Sequence, residues 1–509
     1  MERSAARRFP AHSAPFDRDG DQAMMQEWAN WALNTAQLRG ATYADARVMD
    51  IRQRDLSTKN GQVGTLAESE SLGIGVRVVA AGAWGFASTD RLTREGIEAC
   101  AAEAVDIAKA SALAKRHDVV MSPEETYLDT WQNPYIKDPF RIPLERQLEL
   151  LLAADQEMRK VAGVTLTETS MQFRRIEQLF ASTIGSVISQ VKMQSGCGMV
   201  ATSFAANEIQ KRSYPNSFGG QHMLAGYELV ESLDLVGQAP RVAEEAVALH
   251  HAAQCPEGER TIVLESAQLG LQIHESIGHP IELDRVLGME ANFAGMSFLT
   301  LDKLRTLRYG SEIVNVVADA RLAHGSGLGT FGYDDEGVPA QCTDIIKDGL
   351  FTGYLSNRET AAAIGLARSG GTMRTESWNR LPIIRMTNVS ILPGTWKYDD
   401  LIADTDDGIL MATNRSWSID DRRYHFQFST EIGWEIKGGK TVRMLKNPSY
   451  SGITTEFWNS CEAICSREHW TLWGTPNCGK GQPMQTMGTG HGAAPARFRN
   501  VKVGIAFAK

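Results

Sequence analysis

The stretch TIVLESAQLGLQIHESIGHP, residues 261–280, is where the character of this chain changes. Thr261, Ile262, Val263 and Leu264 read as a short strand of β-branched and aliphatic residues. The strand runs directly into a helix on which Leu269, Ile273 and Ile277 repeat at i, i+4 and i+8 as one apolar face, with Ser266 as the expected N-cap. The same helix carries His274, Glu275 and His279. Two imidazoles thus flank a carboxylate, at a spacing one residue longer than the H-E-x-x-H of metallopeptidases. On an ideal α-helix His274 and His279 point about 140° apart, too far around the axis to share a metal. Gly278 permits a left-handed cap and Pro280 cannot continue a helix, so the chain is expected to leave helical geometry before His279. The second imidazole would then swing back toward the first. Taken alone, the string equally describes two solvent-exposed histidines at a helix end.

Upstream of this point helices and strands alternate. A helix is expected from Asp21, with Met24, Trp28 and Trp31 on one face. Ala44, Ala46 and Val48 then alternate with Asp45 and Arg47, the period-two mark of a half-buried strand. Gly73 to Ser88 reads as a hairpin turning at Ala81-Gly82, and Thr93 caps an Ala-rich helix running to about Ala114. Residues 115–143 hold four prolines and little periodicity, as in a linker or crossover. Leu144, Leu148, Leu151 and Leu152 open another amphipathic helix. Strand-like alternation follows around Leu166 and Val191, then a helix from about Ala239 to His251. Downstream of residue 280, helical periodicity is scarce and short Val/Ile alternations dominate, which suits a sheet closed or folded on itself. The expected fold class is α+β. A disordered tail (1–21) precedes an N-terminal α/β region (22–235, divisible near 115–143) and a β-rich C-terminal domain (236–509).

Bulk properties exclude several classes. A net charge of −9 without a long Lys/Arg run argues against nucleic-acid binding through a basic face. No apolar run approaches the ~18 residues of a membrane helix. The N-terminus has arginines but no apolar segment behind them, unlike a secretory signal. Seven cysteines scattered over a long chain argue for free thiols in a reducing compartment, with the cytoplasm as the default.

A catalytic zinc takes three protein ligands and keeps a fourth position open. Spacing alone leaves the third ligand undecided among His324, Cys342, His425, Cys461, Cys465, His469, Cys478 and His491. Cys461 and Cys465 would share a helix face. Asp334-Asp335-Glu336, followed by Gly337, reads most simply as a hydrophilic turn.

Several longer motifs carry more information than these spacings. The run from His274 through His279 to Glu282 and Asp284 resembles H-E-x-x-G-H-x-x-E-x-D of the TldD/PmbA family of metallopeptidases. Asp334 to Gln341 is similar to that family's D-D-E-G-x-P-x-Q. Arg374 to Ser377, with Leu381 to Asn388 and Leu392 to Gly394, resembles its R-x-E-S, L-P-x-x-R-M-T-N and L-P-G. Cys478-Gly-Lys-Gly stands where the family places a cysteine ligand, and Gly73 to Val78 with Gly85 to Ser88 resembles its G-I-G-V-R-V and G-F-A-S. The similarity spans nearly the whole chain beyond the first twenty or so residues. It departs at Pro280 and Leu283, where glycine is frequent, and it weakens over 416–450 and 458–473, segments expected to shape the substrate cavity.

The resemblance implies one zinc ion per chain held by His274, His279 and Cys478, with Glu275 as general base. It places Glu282 and Asp284 behind the ligands. It also implies unfolded or small peptides as substrates, and a homodimer or a heterodimer with a PmbA-like sister subunit. Because the metal motif is intact, the chain looks like the catalytic, TldD-like subunit. The competing readings are a non-catalytic regulator of the gyrase-modulator type and a zinc-dependent tailoring of a modified small peptide.

Overall fold

The computed structural model describes residues 18–205, 207–292 and 295–505. The expected tail therefore lies almost wholly outside the described residues. Helix α1 (Arg18–Leu38) opens three residues earlier than Asp21. Two long hairpins follow from sequence signals that are partly hidden. Strands β1 (Tyr43–Lys59) and β2 (Gln62–Ala80) turn at Asn60-Gly61, and β2 and β3 (Ala83–Thr89) turn at Ala81-Gly82. All four turn residues have positive φ, between 50° and 76°, which matches the right-handed twist of the flanking strands. Helix α2 (Arg94–Ser111) is capped by the Thr93 hydroxyl, which accepts from the Gly96 N–H. It stops short of Ala114.

The segment read as a linker contains strand β4 (Leu128–Gln132). Then come α3 (Leu144–Arg159), β5 (Leu166–Ser182), β6 (Val187–Ala205), β7 (Glu208–Tyr214), β8 (Gln221–Met223) and α4 (Leu235–Ala248). The strands pair in the order β3-β2-β1-β5-β6-β4, with β7 and β8 also on β6. One face of this sheet is covered in two patches. Met25, Trp28 and Ala32 of α1 and Ile97, Ala101 and Val105 of α2 pack on Ala44, Ala46, Val48, Ile74, Val76 and Val78. Farther along the strands, Leu151 and Met158 of α3 and Val242 and Ala246 of α4 pack on Leu56, Phe173 and Met199.

The alternate residues correct the half-buried reading of β1. Asp45, Arg47 and Arg77 are all buried. Asp45 and Arg77 are cross-strand neighbours. The Arg77 guanidinium donates to Asp45 at 2.6 and 3.0 Å and to Glu336 at 3.0 Å. The Asp334-Asp335-Glu336 turn is therefore no solvated loop, because it is pressed against this sheet and all three carboxylates are buried. Gln178 of β5 donates to Asp335 at 2.7 Å, and the backbone N–H groups of Val338, Glu336 and Met373 donate to Asp334.

Beyond α4 the chain is dominated by strands, as expected: β9 (Gly258–Leu264), β10 (Val316–Asp319), β11 (Cys342–Lys347), β12 (Asn388–Ile391), β13 (Asp407–Ile419), β14 (His425–Lys437), β15 (Pro448–Ile453), β16 (Thr471–Lys480), β17 (Gln485–Ala493) and β18 (Ala496–Ile505). Pairing runs β13-β9-β18-β15-β14, and β14 pairs back to β13, closing a five-stranded barrel. The sheet also extends from β14 to Lys440–Lys446 and Ala253–Gln254, outside the closed ring. Its core is aromatic, with Phe457 stacked on Phe498 at 4.2 Å between ring centres. A second sheet runs β11-β10-β12-β17-β16. Helix α5 (Ser266–Ile273) contacts both β13 of the barrel and β17 of the second sheet. It is buried along almost its whole length, which explains how it carries Gln268 and Gln272 toward the core. Gln268 donates to the Tyr450 hydroxyl at 2.9 Å, and that hydroxyl donates to Gln272 at 3.0 Å. Ser266 does not cap α5, since Glu265 holds that position without a side-chain cap and the Ser266 hydroxyl accepts from Trp473.

Candidate metal centre

The two histidines meet by a route other than an early helix end. His274 to Gly278 form a π-helical turn, and His279 keeps right-handed helical angles (φ −68°, ψ −43°) with its N–H bonded to the His274 carbonyl. An i→i+5 hydrogen bond widens the turn by one residue, so residues five apart come to stack. The 140° separation of an ideal helix disappears, and no left-handed Gly278 is needed. Gly278 serves instead through its missing side chain, since a Cβ there would stand 2.1 Å from the Met386 sulfur. A π-turn disturbs the regular carbonyl ladder, and tertiary contacts at Ser276 hold it in place. The Tyr309 hydroxyl donates to the Ser276 carbonyl, and Trp458 Nε1 donates to the Ser276 hydroxyl at 2.9 Å.

Cys478 arrives on β16, just after a β-bulge between Thr475 and Cys478 that re-aims the strand. One ligand-type atom each from His274, His279 and Cys478 lies within 4.8 Å of the others. Cys478 Sγ is 3.7 Å from His279 Nε2. All three residues are buried. Burial pushes both imidazoles down to about 4, so they are neutral and able to ligate above that pH. Burial alone would raise the Cys478 thiol, but Arg385 and His279 outweigh it and hold the thiol below its ordinary value.

Both imidazoles have a further partner at Nδ1. His279 Nδ1 lies 3.1 Å from Glu282 Oε2, which also accepts from Arg285 Nε at 2.7 Å. Burial works against the Glu282 carboxylate, yet Lys480 and Arg285 keep it well below the usual range. Asp284 does not touch an imidazole. It takes two hydrogen bonds from the wholly buried Lys480, at 2.7 and 2.8 Å. His274 Nδ1 lies 2.7 Å from His491 Nε2 on β17.

Glu275 is buried beside the cluster, with Oε2 accepting from Arg423 Nη1 at 2.7 Å. Arg423 sits in the connection between β13 and β14, inside one of the two segments (416–450) over which the resemblance weakens. No local pattern marked it out in the sequence. The other candidates lie elsewhere. Cys461 and Cys465 are on or beside a strand (Cys461–Ile464), buried in the core rather than on a helix. His425 pairs with Asp420 at the surface, His469 accepts from the Tyr398 N–H, and Cys342 is half-buried beside Asp319. The His324 side chain lies outside the described residues.

Residues 257–504 match the family model for the PmbA/TldA metallopeptidase C-terminal domain, and residues 44–108 match the model for domain 1 of the same family. A metalloprotease of Methanothermobacter thermautotrophicus is 29% identical over 91% of this chain and 95% of its own length. One from Methanocaldococcus jannaschii is 27% identical over 83% of this chain and 89% of its own. A metalloprotease TldD homologue of Haemophilus influenzae is 28% identical over 83% of this chain and 84% of its own. Two solved structures share the fold. A Thermotoga maritima protein described as a modulator of DNA gyrase superposes with a TM-score of 0.75 at 17% identity, over 94% of this chain and all of that one. TldE of Thermococcus kodakarensis superposes at 0.69 with 15% identity, over 94% of this chain and 99% of that one. On the two domain matches and these relatives, the chain belongs to the PmbA/TldD metallopeptidase family.

Proposed function

We propose that this chain is a zinc-dependent peptidase of the catalytic, TldD-like kind, acting on unfolded or small peptides. The observation that carries the reading is the gathering of His274, His279 and Cys478 within 4.8 Å, beside a buried glutamate. The donor set fits zinc. Tetrahedral zinc with bonds of ~2.0–2.3 Å sets its ligand atoms roughly 3.3–3.8 Å apart. The 3.7 Å between Cys478 and His279 falls inside that range, and the set as a whole, within 4.8 Å, would close by roughly 1 Å around the ion. Bound zinc supplies Lewis acidity, acidifying a water and polarising a peptide carbonyl.

The chain's own residues do the rest. Glu275 takes the proton of the attacking water and returns it to the leaving amine. Arg423 holds Glu275 in place through a charge-assisted bond at 2.7 Å. Glu282 orients His279, and the Cys478 thiolate lowers the positive charge of the centre, making a milder acid than neutral ligands would. The same reading includes one zinc per chain and a division into an N-terminal region (22–235) and a catalytic β-rich domain (236–509). It includes a dimer, formed with itself or with a PmbA-like sister subunit. It also places the chain in the cytoplasm, supported by seven unpaired cysteines. Among the described residues no helix is long and apolar enough to cross a membrane.

The test combines metal analysis with mass spectrometry of unstructured peptides after digestion. Cys478→Ser should lose most of its zinc, while the Cys461/Cys465 double Ser variant keeps it. Glu275→Gln should keep zinc and lose roughly 10²–10⁴-fold in rate. Turnover by Glu275→Gln within a few-fold of wild type would overturn the general-base assignment, and a zinc-loaded Cys478→Ser would overturn the ligand set.

A further inference from the structure

The two imidazoles of the cluster are backed by different chemistry. Behind His279 stands a carboxylate, Glu282. Behind His274 stands another imidazole, His491, whose far nitrogen Nδ1 lies 3.1 Å from the Val389 carbonyl oxygen on β12. We propose that His491 is a positioning residue that fixes the tautomer of His274 and so presents the His274 Nε2 lone pair to the metal. The inference rests on the metal-site reading above.

The argument follows the protons. A backbone carbonyl only accepts, so His491 Nδ1 carries a hydrogen. The hydrogen-bond partners of the His491 ring are a carbonyl, an imidazole and the Thr489 hydroxyl at 3.1 Å, with no carboxylate among them. Nothing there supports a second proton on a fully buried ring, so His491 Nε2 is an acceptor. At 2.7 Å from that lone pair, His274 Nδ1 must be the donor. A neutral His274 with its hydrogen on Nδ1 has a bare Nε2, the form a metal needs. The Thr489 hydroxyl, 3.1 Å from His491 Nε2 and 3.5 Å from His274 Nδ1, can donate or accept, so the direction is set by the Val389 carbonyl.

A relay ending on a carbonyl orients the ligand without adding negative charge. That distinction matters at a centre that already holds a thiolate and has Glu282 close behind. A second carboxylate behind His274 would further weaken the Lewis acidity of the ion. The pairing is built by the fold. Trp473 of β16 is in register with His491 of β17, and Asn388, next to Val389 of β12, pairs with Gly490 of β17. His491 is thereby fixed between a strand carbonyl and the π-turn.

Two measurements on the full chain test this. In ¹⁵N-histidine NMR of the wild type, with or without zinc, His491 should show the neutral tautomer protonated on Nδ1, its signals identified by their loss in His491→Gln. A hydrogen on Nε2, or a doubly protonated ring, would overturn the proposal. In competition with a chelator, His491→Gln should bind zinc within about threefold of wild type, because its carboxamide oxygen can accept from His274. His491→Leu should bind roughly 10–100-fold more weakly. After substitution with cobalt, His491→Leu should retain the thiolate-to-cobalt absorption of the wild type. Wild-type affinity in His491→Leu would remove the positioning role. Loss of metal as complete as in Cys478→Ser would make His491 a ligand instead. A wild-type chain that binds no zinc would sink the metal reading, while the tautomer would still decide this one.

Discussion

Lys480→Met isolates what the charges behind the His274/His279/Cys478 cluster contribute to stability. Lys480 is wholly buried and spends all three of its N–H groups, two on Asp284 at 2.7 and 2.8 Å and one on the Ile384 carbonyl at 2.5 Å. Its nitrogen also stands 3.6 Å from Glu282. Methionine nearly fills the same space, so the cost is electrostatic rather than a cavity. Glu282 keeps Arg285, whereas Asp284 loses its two side-chain hydrogen bonds. Breaking a buried pair from one side costs about 3–5 kcal/mol. A second route to the magnitude agrees. Burial already pushes the Asp284 carboxyl above its ordinary value. Without Lys480 it can escape by taking a proton, and protonating a carboxyl of pKa near 3.9 at pH 7 costs about 4 kcal/mol. That escape becomes cheaper by about 1.4 kcal/mol for each pH unit of acidification. Urea unfolding of both chains at pH 7 and pH 5 should therefore show a deficit of about 4 kcal/mol shrinking to about 1.5. A deficit below about 1 kcal/mol at pH 7, or one that does not change with pH, would refute the reasoning.

The metal-free chain should be acid-labile. Burial pushes His222, His274 and His279 down to about 4 from an ordinary 6.5. The unfolded chain binds more protons below 6.5, so this stability is present above that pH and drains away as pH falls toward 4, by about 3 kcal/mol per imidazole. Melting curves between pH 7.5 and 4.5 check it, and a flat Tm from pH 7 to 5 would count against it. Arg77→Met should cost about 3–5 kcal/mol, because it strands the buried Asp45 and Glu336 carboxylates together. Denaturant titration would measure that loss, and a change under about 1 kcal/mol would show that the N-terminal sheet does not depend on this ion pair to hold the acidic turn.

What the sequence disclosed depended on how local the physics was. The alternation of Ala44, Ala46 and Val48, the Ala81-Gly82 turn and the Thr93 cap are decided within a few residues, and each appears in the structure. Alternation says which face is apolar but not what covers the other one. Asp45 and Arg77 had the pattern of a solvent face, and their cover is Glu336, 259 residues beyond Arg77. For the same reason Asp334-Asp335-Glu336 read as a hydrophilic turn. The backbone donors and the arginine that make burial tolerable come from distant strands. The helix end at His279 failed in a related way. Gly278 and Pro280 look like a stop signal, yet the turn widens and continues, with the Tyr309 hydroxyl donating to the Ser276 carbonyl from 33 residues away.

The cluster itself divides along the same line. His274 and His279 share one turn of chain, so a short motif exposed them and only the route between them was misread. Cys478 lies 199 residues from His279, and spacing could not prefer it over seven rivals; family resemblance did. Arg423 was reached by neither means. It comes from a connection between two barrel strands in the segment where the family motifs fade, 148 residues from Glu275, and only barrel closure brings its guanidinium to the carboxylate. A residue held in place by strand pairing leaves no signature at its own position. The same holds for His491, which the sequence offered as a rival ligand: strand pairing sets its ring nitrogen 2.7 Å from His274 Nδ1, the placement on which the proposed positioning role rests.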